Sequence, residues 1–237
     1  MDEDAGVLGD GSGPAANAPD EPLLKHPSVV KEVPTTVRGR RTRDSLIAGA
    51  KIVFARDGYI GARLTDITVE AGCSTGTFYT YFTGKEEVMA AVVNDVLADM
   101  MRPGVGRLRD VETDPISTIR AAHQAYFESY KRNAGLMVAF EQASTVDPHF
   151  AEMRAVRGDL FGQRNARRIR EFQDRGLVNP DLDPYLIALA LNAMVSRMAH
   201  RAIALKSDID LDQLLDVVTE LWANALGLAR YEGTSGS

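Results

Sequence analysis

Three Asp-Pro pairs, Asp114-Pro115, Asp147-Pro148 and Asp183-Pro184, constrain the fold of this chain more than any other feature. An aspartate accepts hydrogen bonds from the free amides at a helix N-terminus, and a proline in the first helical position has no amide that could be left unpaired. Apolar residues at three- and four-residue spacing follow each pair. The pairs therefore predict helices that begin at residues 115, 148 and 184.

The other segments between residues 38 and 230 repeat this pattern of caps and periodicity. Polar residues that can cap a helix precede them, namely Thr42, Thr65, Ser74, Thr83 (with Glu86 as its capping-box partner) and Asp210. The predicted helices span residues 43–57, 66–71, 75–82, 84–101, 115–132, 136–144, 148–175, 184–205 and 211–227. No alternating apolar–polar run suggests a strand. We predict an all-α protein of about nine helices, with an N-terminal helix-turn-helix domain and a C-terminal helical domain.

The net charge of −6 argues against a protein that simply coats nucleic acid, but the charge is unevenly distributed. Residues 1–37 carry a net charge of −5, and residues 38–87 carry +2. Four arginines lie within six residues: Arg38, Arg40, Arg41 and Arg43. Such a run is either a solvated helix start or a footprint for phosphate, and from charge alone the solvated run is favoured.

The ends of the chain indicate its compartment. The acidic, Gly- and Pro-rich residues 1–37 predict a disordered tail without the apolar core of a secretory signal, and residues 231–237 predict a flexible end. The sequence has no apolar run of about 18 residues, so we expect no membrane span. Its single cysteine, Cys73, excludes an internal disulfide and favours a cytoplasmic location.

The segment "EAGCSTGTFYTYFTGKEE", residues 70–87, predicts a helix-turn-helix. Gly72 tolerates the positive φ that the turn requires, and Ser74 caps the second helix. Phe78 and Phe82 lie four residues apart and should be core. The hydroxyl-bearing residues are left on the outer side, where a helix with small side chains can enter a major groove about 12 Å wide. They are Thr75, Thr77, Tyr79 and Tyr81.

Residues 43–93 resemble the DNA-binding domain of TetR-family transcriptional regulators. The resemblance rests on "AKIVFARDGY" and on "LTDITVEAGCSTGTFYTYFTGKEEV", with departures from the family pattern at Cys73, Thr75 and Thr80. It implies a helix-turn-helix domain over residues 38–87 that binds a pseudo-palindromic double-stranded DNA operator. The implied DNA contacts are Thr65, Ser74, Thr75, Thr77, Tyr79, Tyr81, Lys85, Arg41 and Arg43, with Arg38 and Arg40 beside them.

The resemblance further implies that residues 88–230 bind a small-molecule effector and form a homodimer, and that the protein is a repressor released by that effector. The last two predicted helices are unusually apolar, and either a second copy or a central position in a monomer would cover them. The dimer candidates are Leu189, Ala193, Leu214, Val218, Leu221 and Trp222.

Large or polar side chains on the apolar middle helices are the candidates for a largely apolar effector pocket. They are His123, Tyr126, Tyr130, Met137, Phe140, Glu141, Phe161, Asn165 and Asn192. The arginines of the long helix alternate with acidic residues, so we interpret them as a salt-bridged outer face. No cofactor fingerprint is present, and we expect no cofactor.

Three competing functions stay open at this point. The first is an enzyme, which is disfavoured because no nucleophile motif or phosphate loop occurs. A metalloenzyme is disfavoured as well, and we expect no metal site, because the four histidines, at 26, 123, 149 and 200, are scattered and the His149–Glu152 pair offers only two ligands. The second function is that of a redox-responsive regulator that acts through Cys73, and the third is that of a helical ligand-binding protein without operator binding.

Overall fold

The computed structural model describes residues 24–29, 31–101 and 114–228. This described part is built from α-helices and contains no strand, as predicted. The helices are α1 (Val37–Gly61), α2 (Leu64–Glu70), α3 (Thr75–Tyr81), α4 (Lys85–Met101), α5 (Pro115–Arg132), α6 (Ala134–Val146), α7 (Pro148–Asp174), α8 (Pro184–Ala199) and α9 (Leu211–Leu226).

The aspartate caps determine the C-terminal helices as predicted. Asp114, Asp147 and Asp183 each accept hydrogen bonds from amides in the first turn of α5, α7 and α8. Asp210 likewise caps α9 by accepting from the Gln213 amide. The predicted end of α8 is different: the α-helix stops at Ala199, and a five-residue π-helical turn, His200–Ala204, completes the segment.

Helix α1 begins six residues earlier than predicted. Thr36, not Thr42, is its N-cap and accepts a hydrogen bond from the Gly39 amide. The Thr42 hydroxyl donates to the Arg38 carbonyl inside the helix. The predicted end at Gly58 is a kink, where the backbone adopts φ 70° and the helix continues to Gly61.

The helix-turn-helix follows the prediction at its turn and departs from it at the start of α2. Gly72 has φ 63°, and the Ser74 hydroxyl accepts a hydrogen bond from the Thr77 amide over 3.1 Å. Arg63 occupies the N-cap of α2 without a side-chain cap, so Thr65 lies inside the first turn and does not cap it. The cap prediction for Thr65 is wrong because α2 starts at Leu64.

Helix α4 joins the N-terminal three-helix unit (α1–α3) to the rest of the molecule. It begins at Lys85, and Glu87 rather than Glu86 accepts the hydrogen bond from the Thr83 amide, at 2.7 Å. Its buried residues run without interruption across the expected domain boundary between residues 87 and 88. The two units therefore share one continuous helix.

The expected tail is ordered where the structure describes it. Leu24 is 1% exposed, and its backbone exchanges hydrogen bonds with the Asn94 side chain on α4 at 2.7 and 2.9 Å. The Lys31 amide donates to Glu87 over 2.9 Å. The prediction of disorder is wrong for residues 24–29 and 31–36, hereafter the arm, because polar groups of α4 bind its backbone. The predictions for residues 1–23 and 231–237 fall outside the described residues.

Helix α1 packs on α2, α4 and α6, while α6, α7 and α8 pack in sequence and α5 contacts α9. One continuous apolar core, which includes Phe54, Phe78, Met89, Phe150 and Trp222, connects these helices. Within the described residues, no helix combines the length and hydropathy needed to cross a membrane.

Candidate nucleic-acid interface and ligand cavity

Helix α3 has a buried layer and an exposed layer. Phe78 and Phe82 are both fully buried, with ring centroids 5.6 Å apart. Thr75 and Tyr79 are exposed on the opposite side, and Tyr79 has an exposed fraction of 49%. The aromatic pair holds the short helix against the core, so the outer side chains are presented on a fixed surface. We call this outer surface, with the turn that precedes it, the α3 face.

The structure brings most of the predicted DNA contacts to the α3 face or beside it. Thr65, Ser74 and Thr75 are exposed, Thr77 is half-buried, and Tyr81 is half-buried against the core. Thr80 is also exposed, and its hydroxyl donates to the Gly76 carbonyl over 3.3 Å. The sequence analysis noted Thr80 only as a departure from the family pattern. Its position five residues after Thr75 could have identified it as part of the same surface.

The predicted basic contacts divide into free and engaged groups. Arg41 is exposed on the first turns of α1, which shows that the arginine run belongs to a helix and not to an extended segment. Arg43 is half-buried, its guanidinium lies 5.2 Å from the Phe82 ring centroid, and burial lowers its pKa. The Lys85 ammonium donates to the Tyr59 carbonyl over 3.0 Å. Lys85 therefore has an internal partner, and Arg41 has the least restricted charge of the three.

The lone cysteine lies in the turn before α3. Cys73 is half-buried against the core, and its thiol donates to the Ala71 carbonyl over 3.4 Å. This contact is within the turn itself and suits a small side chain that fills it.

A cavity of about 1010 Å³ lies between α5, α7, α8 and α9. Seven of the nine predicted pocket residues line it: His123, Tyr126, Tyr130, Glu141, Phe161, Asn165 and Asn192. Their role in binding stays a prediction, but the fold brings them to a common wall. Tyr126 forms the aromatic centre of this wall, with ring centroids 5.9 Å from Tyr130 and 6.0 Å from Phe161.

Met137 and Phe140 are displaced from the predicted pocket. Both are at most 3% exposed and pack in the core between α4 and α6, next to Arg157. The Arg157 guanidinium donates to the Met137 sulfur over 3.4 Å and lies 5.9 Å from the Phe140 ring. They lie outside the cavity because their side of α6 packs against α4.

Arginine is the residue type that the sequence analysis misjudged. The cavity lining includes the arginines at 154, 157, 164, 167 and 168 of α7. Arg154 and Arg168 pair with Glu141 and Glu171. The Arg164 guanidinium stacks 4.8 Å from the Phe161 ring, and burial and then Arg167 lower its pKa. Within the described part of the chain neither Arg157 nor Arg164 makes an ion pair with a carboxylate. Arg164 follows Phe161 by three residues on the same helix, and this spacing could have predicted that the two side chains lie on one face.

Polar groups of the cavity wall come from α5, from α8 and the π-helical turn after it, and from α9. The Tyr130 hydroxyl lies 3.1 Å from His200 Nδ1, and burial raises the pKa of Tyr130. Burial lowers the pKa of His123 to about 4, so this imidazole is neutral near pH 7. Two buried donors of the wall, Asn192 Nδ2 and Trp222 Nε1, have no hydrogen-bond partner among the described residues. Unsatisfied buried donors cost free energy, so this wall is not optimised for packing alone.

The predicted dimer residues of α9 lie on two opposite sides. Leu214, Val218 and Trp222 are at most 5% exposed within the single chain, so they belong to its own core and the prediction is wrong for these three. Leu221 is 44% exposed and keeps its predicted position. On α8, Leu189 is half-buried at the cavity wall, and Ala193 is exposed at its edge.

Each of these two helices nevertheless keeps exposed apolar residues. They are Leu186, Ala190 and Ala193 on α8 and Val217, Leu221 and Ala225 on α9. We call this set the α8–α9 face. The apolar residues predicted for α9 therefore lie on two sides of the helix. Their exposure in the folded chain distinguishes the core side from the side that faces solvent.

The kink at Gly58 places Tyr59 of the N-terminal unit against α6 and α7. It frees the Tyr59 amide, which donates to Gln142 Oε1 on α6 over 2.8 Å. The Tyr59 ring lies 5.7 Å from the Phe150 ring of α7. These contacts, which we call the junction, link α1 to α6 and α7.

The histidines are less scattered than their sequence positions suggest. The fold places His26 of the arm beside Asp147 and His149 at the α6–α7 corner, with their ligand-capable atoms within 4.8 Å of one another. The sequence interpretation that no such cluster exists is wrong for these three residues, because the arm crosses the corner.

Comparison with known proteins agrees with this geometry. Residues 46–92 match the model of the bacterial regulatory proteins of the tetR family, and residues 119–226 match the C-terminal domain of the transcriptional regulator EthR. The HTH-type transcriptional regulator EthR of Mycolicibacterium smegmatis is 24% identical over 201 residues, which cover 81% of this chain and 92% of that protein. The HTH-type transcriptional repressor KstR2 of the same organism is 26% identical over 155 residues, or 61% and 71% of the two chains.

A solved structure supports the fold independently. SmeT, the repressor of the Stenotrophomonas maltophilia multidrug efflux pump SmeDEF, superposes with a TM-score of 0.62 at 24% identity. The superposition covers 83% of this chain and 98% of SmeT. The matched helix-turn-helix, the matched C-terminal domain and the shared fold lead to one conclusion. The chain belongs to the TetR family of transcriptional regulators.

Proposed function

We propose that this protein is a dimeric, ligand-responsive repressor of the cytoplasm that binds a pseudo-palindromic operator. The observation that carries the proposal is the α3 face, where exposed hydroxyls lie directly over the fully buried Phe78 and Phe82. Small hydroxyl side chains allow close approach to base edges, while tyrosine hydroxyls reach phosphates. Thr75 and Thr77 are the proposed base contacts, and Tyr79, Tyr81 and Arg41 the proposed backbone contacts.

The α8–α9 face supports a homodimer. Leu186 is 61% exposed, Val217 47% and Leu221 44%, and large apolar patches of this kind favour association. A two-fold axis through the face would place two α3 faces on one side of DNA, where half-sites lie about 34–36 Å apart or a multiple of that distance. The substitution Leu221→Glu should give monomers in sedimentation analysis and weaken operator binding.

The cavity supports an effector with a largely apolar body and hydrogen-bond acceptor oxygens. Its aromatic wall suits apolar groups, whereas Arg157, Arg164 and the buried donor of Asn192 need acceptors. An effector that prefers a rearranged junction lowers the DNA affinity by its differential affinity for the two states. The relatives named repressors support the direction of this response.

The test is fluorescence anisotropy with duplex DNA from the region upstream of the protein's own gene. We expect salt-dependent binding by the wild type and a loss of about 1–3 kcal/mol for Thr75→Ala. Thr145→Ala, an exposed threonine on α6, is the matched control and should bind as the wild type does. An intact dimer that fails to bind this DNA at low salt would contradict operator binding and favour a ligand-binding protein without DNA.

A further inference from the structure

The α6–α7 corner and the arm together form a cluster of three potential metal ligands. His26 Nε2 lies 3.2 Å from Asp147 Oδ2, and His149 Nδ1 lies 3.1 Å from Asp147 Oδ1. All three donor groups fall within 4.8 Å of one another. They come from segments 121 residues apart in sequence, so the cluster exists only when the arm is seated on the corner.

The positions of these side chains are fixed by contacts outside the cluster. His26 is 6% exposed, and its ring lies 4.3 Å from the Phe150 ring. Asp147 caps α7 and accepts the His149 amide at 2.9 Å. The rigid pair of His26 and Asp147 is therefore already oriented, and only the half-exposed His149 ring must adjust.

The donor set has a defined chemical preference. Two imidazoles and one carboxylate suit zinc and neighbouring transition metals, whereas magnesium and calcium prefer oxygen ligands only. Zinc–nitrogen distances of about 2.0–2.1 Å place neighbouring ligands of a tetrahedral site about 3.3 Å apart. The observed separations of 3.2 and 3.1 Å are close to that spacing.

We propose that His26, Asp147 and His149 bind a divalent transition-metal ion of the zinc class, which fastens the arm to the α6–α7 corner. His26 binds through Nε2. In the structure the Ser28 amide donates to His26 Nδ1 over 3.2 Å, so metal binding at Nε2 selects the other tautomer, in which Nδ1 donates to Ser28 Oγ, 2.7 Å away. Such an outer hydrogen bond fixes the tautomer of a metal-bound histidine. The side chain of His149 is 51% exposed, so water completes the coordination from the solvent side.

One feature of the corner opposes a cation and must be outweighed. The positive end of the α7 dipole lies at Asp147. The Asp147 carboxylate already neutralises this end by accepting the His149 amide, and its second oxygen remains directed at His26. The site therefore requires the carboxylate as well as both imidazoles.

A metal ion at this corner would affect the contacts of the neighbouring Phe150 ring. Phe150 contacts the ring of His26 on one side and the ring of Tyr59 on another. A metal that locks the arm onto the corner therefore also restrains the junction.

The test is a titration of the purified full-length protein with Zn²⁺ in competition with a chromophoric chelator. We expect about one tightly bound ion per chain and a loss of more than about 100-fold in affinity for Asp147→Asn and for His149→Ala. Asparagine caps helices as well as aspartate does, so Asp147→Asn separates metal binding from folding. Ser28→Ala should weaken binding by about 10–100-fold.

His200, which lies outside the cluster, provides the control. Amide hydrogen exchange in the arm provides the second measurement. His200→Gln should bind Zn²⁺ as the wild type does. Zn²⁺ should slow amide hydrogen exchange over residues 24–29 in the wild type and not in His149→Ala. Equal affinity of the wild type and both ligand variants, no tight site in the wild type, or zinc binding without protection of the arm would each overturn the proposal.

Discussion

The α3 face and the cavity differ in how completely their side chains are packed and paired. Behind the α3 face, Phe78 and Phe82 are fully buried, and the turn makes its own hydrogen bonds. The cavity instead encloses about 1010 Å³, and its lining includes Arg157 and Arg164, which have no carboxylate partner within the described residues. Close-packed interiors transmit small displacements, whereas unfilled ones can change when a ligand enters. We therefore infer that the α3 face is rigid, whereas the cavity can rearrange when a ligand enters.

The largest expected effect comes from the buried layer of α3. Phe78→Ala should lower the free energy of unfolding by about 3–5 kcal/mol, because it leaves a cavity where the helix meets the core. Tyr79→Ala, one residue further along the same helix, should change stability by less than about 0.5 kcal/mol and yet weaken DNA binding. Chemical denaturation and anisotropy measure the two quantities. Equal destabilisation by both variants would show that α3 has no separate layers.

The two regions also differ in what sequence could predict. The turn glycine, the Ser74 cap and the spacing of Phe78 and Phe82 are local signals, and all three were confirmed. The cap on α1 was displaced from Thr42 to Thr36, because several nearby residues could serve, and α2 begins at Leu64 without a side-chain cap. The sequence therefore predicts that a helix begins in a given region better than it predicts which residue caps that helix.

The cavity depends on contacts between distant helices, so sequence could supply its candidates but not their directions. Met137 and Phe140 lie on the same apolar helix as Glu141, yet only Glu141 lines the cavity. Trp222 fits the predicted apolar stripe but contacts His123, with ring centroids 5.3 Å apart, inside the chain. The arm and the histidine cluster were missed because nothing local in residues 24–36 indicates the polar groups of α4 and of the α6–α7 corner that bind them.

The junction should show the second-largest effect. Gln142→Ala removes the acceptor of the Tyr59 amide and should lower stability by about 1–3 kcal/mol, because a partly buried donor loses its partner. Gln142→Glu keeps an acceptor oxygen and is the matched control. Hydrogen exchange at the Tyr59 amide should accelerate in the alanine variant only. Unchanged exchange in the alanine variant would show that the Tyr59–Gln142 hydrogen bond does not stabilise the junction.

His123 predicts a pH dependence that belongs to the cavity and not to the α3 face. Burial lowers its pKa in the folded state to about 4, below the ordinary value of 6.5. The folded state therefore favours the neutral ring, and its stabilisation is present above pH 6.5 and is lost as the pH falls towards 4. Between pH 7 and 5.5 this loss amounts to about 1 kcal/mol.

The substitution His123→Phe should remove that part of the pH dependence. Denaturation midpoints measured from pH 7 to 5 would fall less steeply in the variant than in the wild type. Thr145→Ala, an exposed position on α6 that carries no titratable group, is the control and should keep the steep fall. Identical slopes in the wild type and His123→Phe would mean that the imidazole is hydrated in the folded state.

The smallest expected effect on stability is also the most informative about the cavity. Arg164→Met keeps most of the length of the side chain but removes a charge that burial disfavours, so it should raise stability by up to about 1 kcal/mol. Arg167→Met, at the exposed neighbour, should leave stability within about 0.5 kcal/mol of the wild type. If the Arg164 charge is retained for an effector, the stabilised variant should lose its response to acceptor-bearing ligands while it keeps DNA binding. A destabilised Arg164→Met would instead indicate that the guanidinium packs on Phe161 as a structural element.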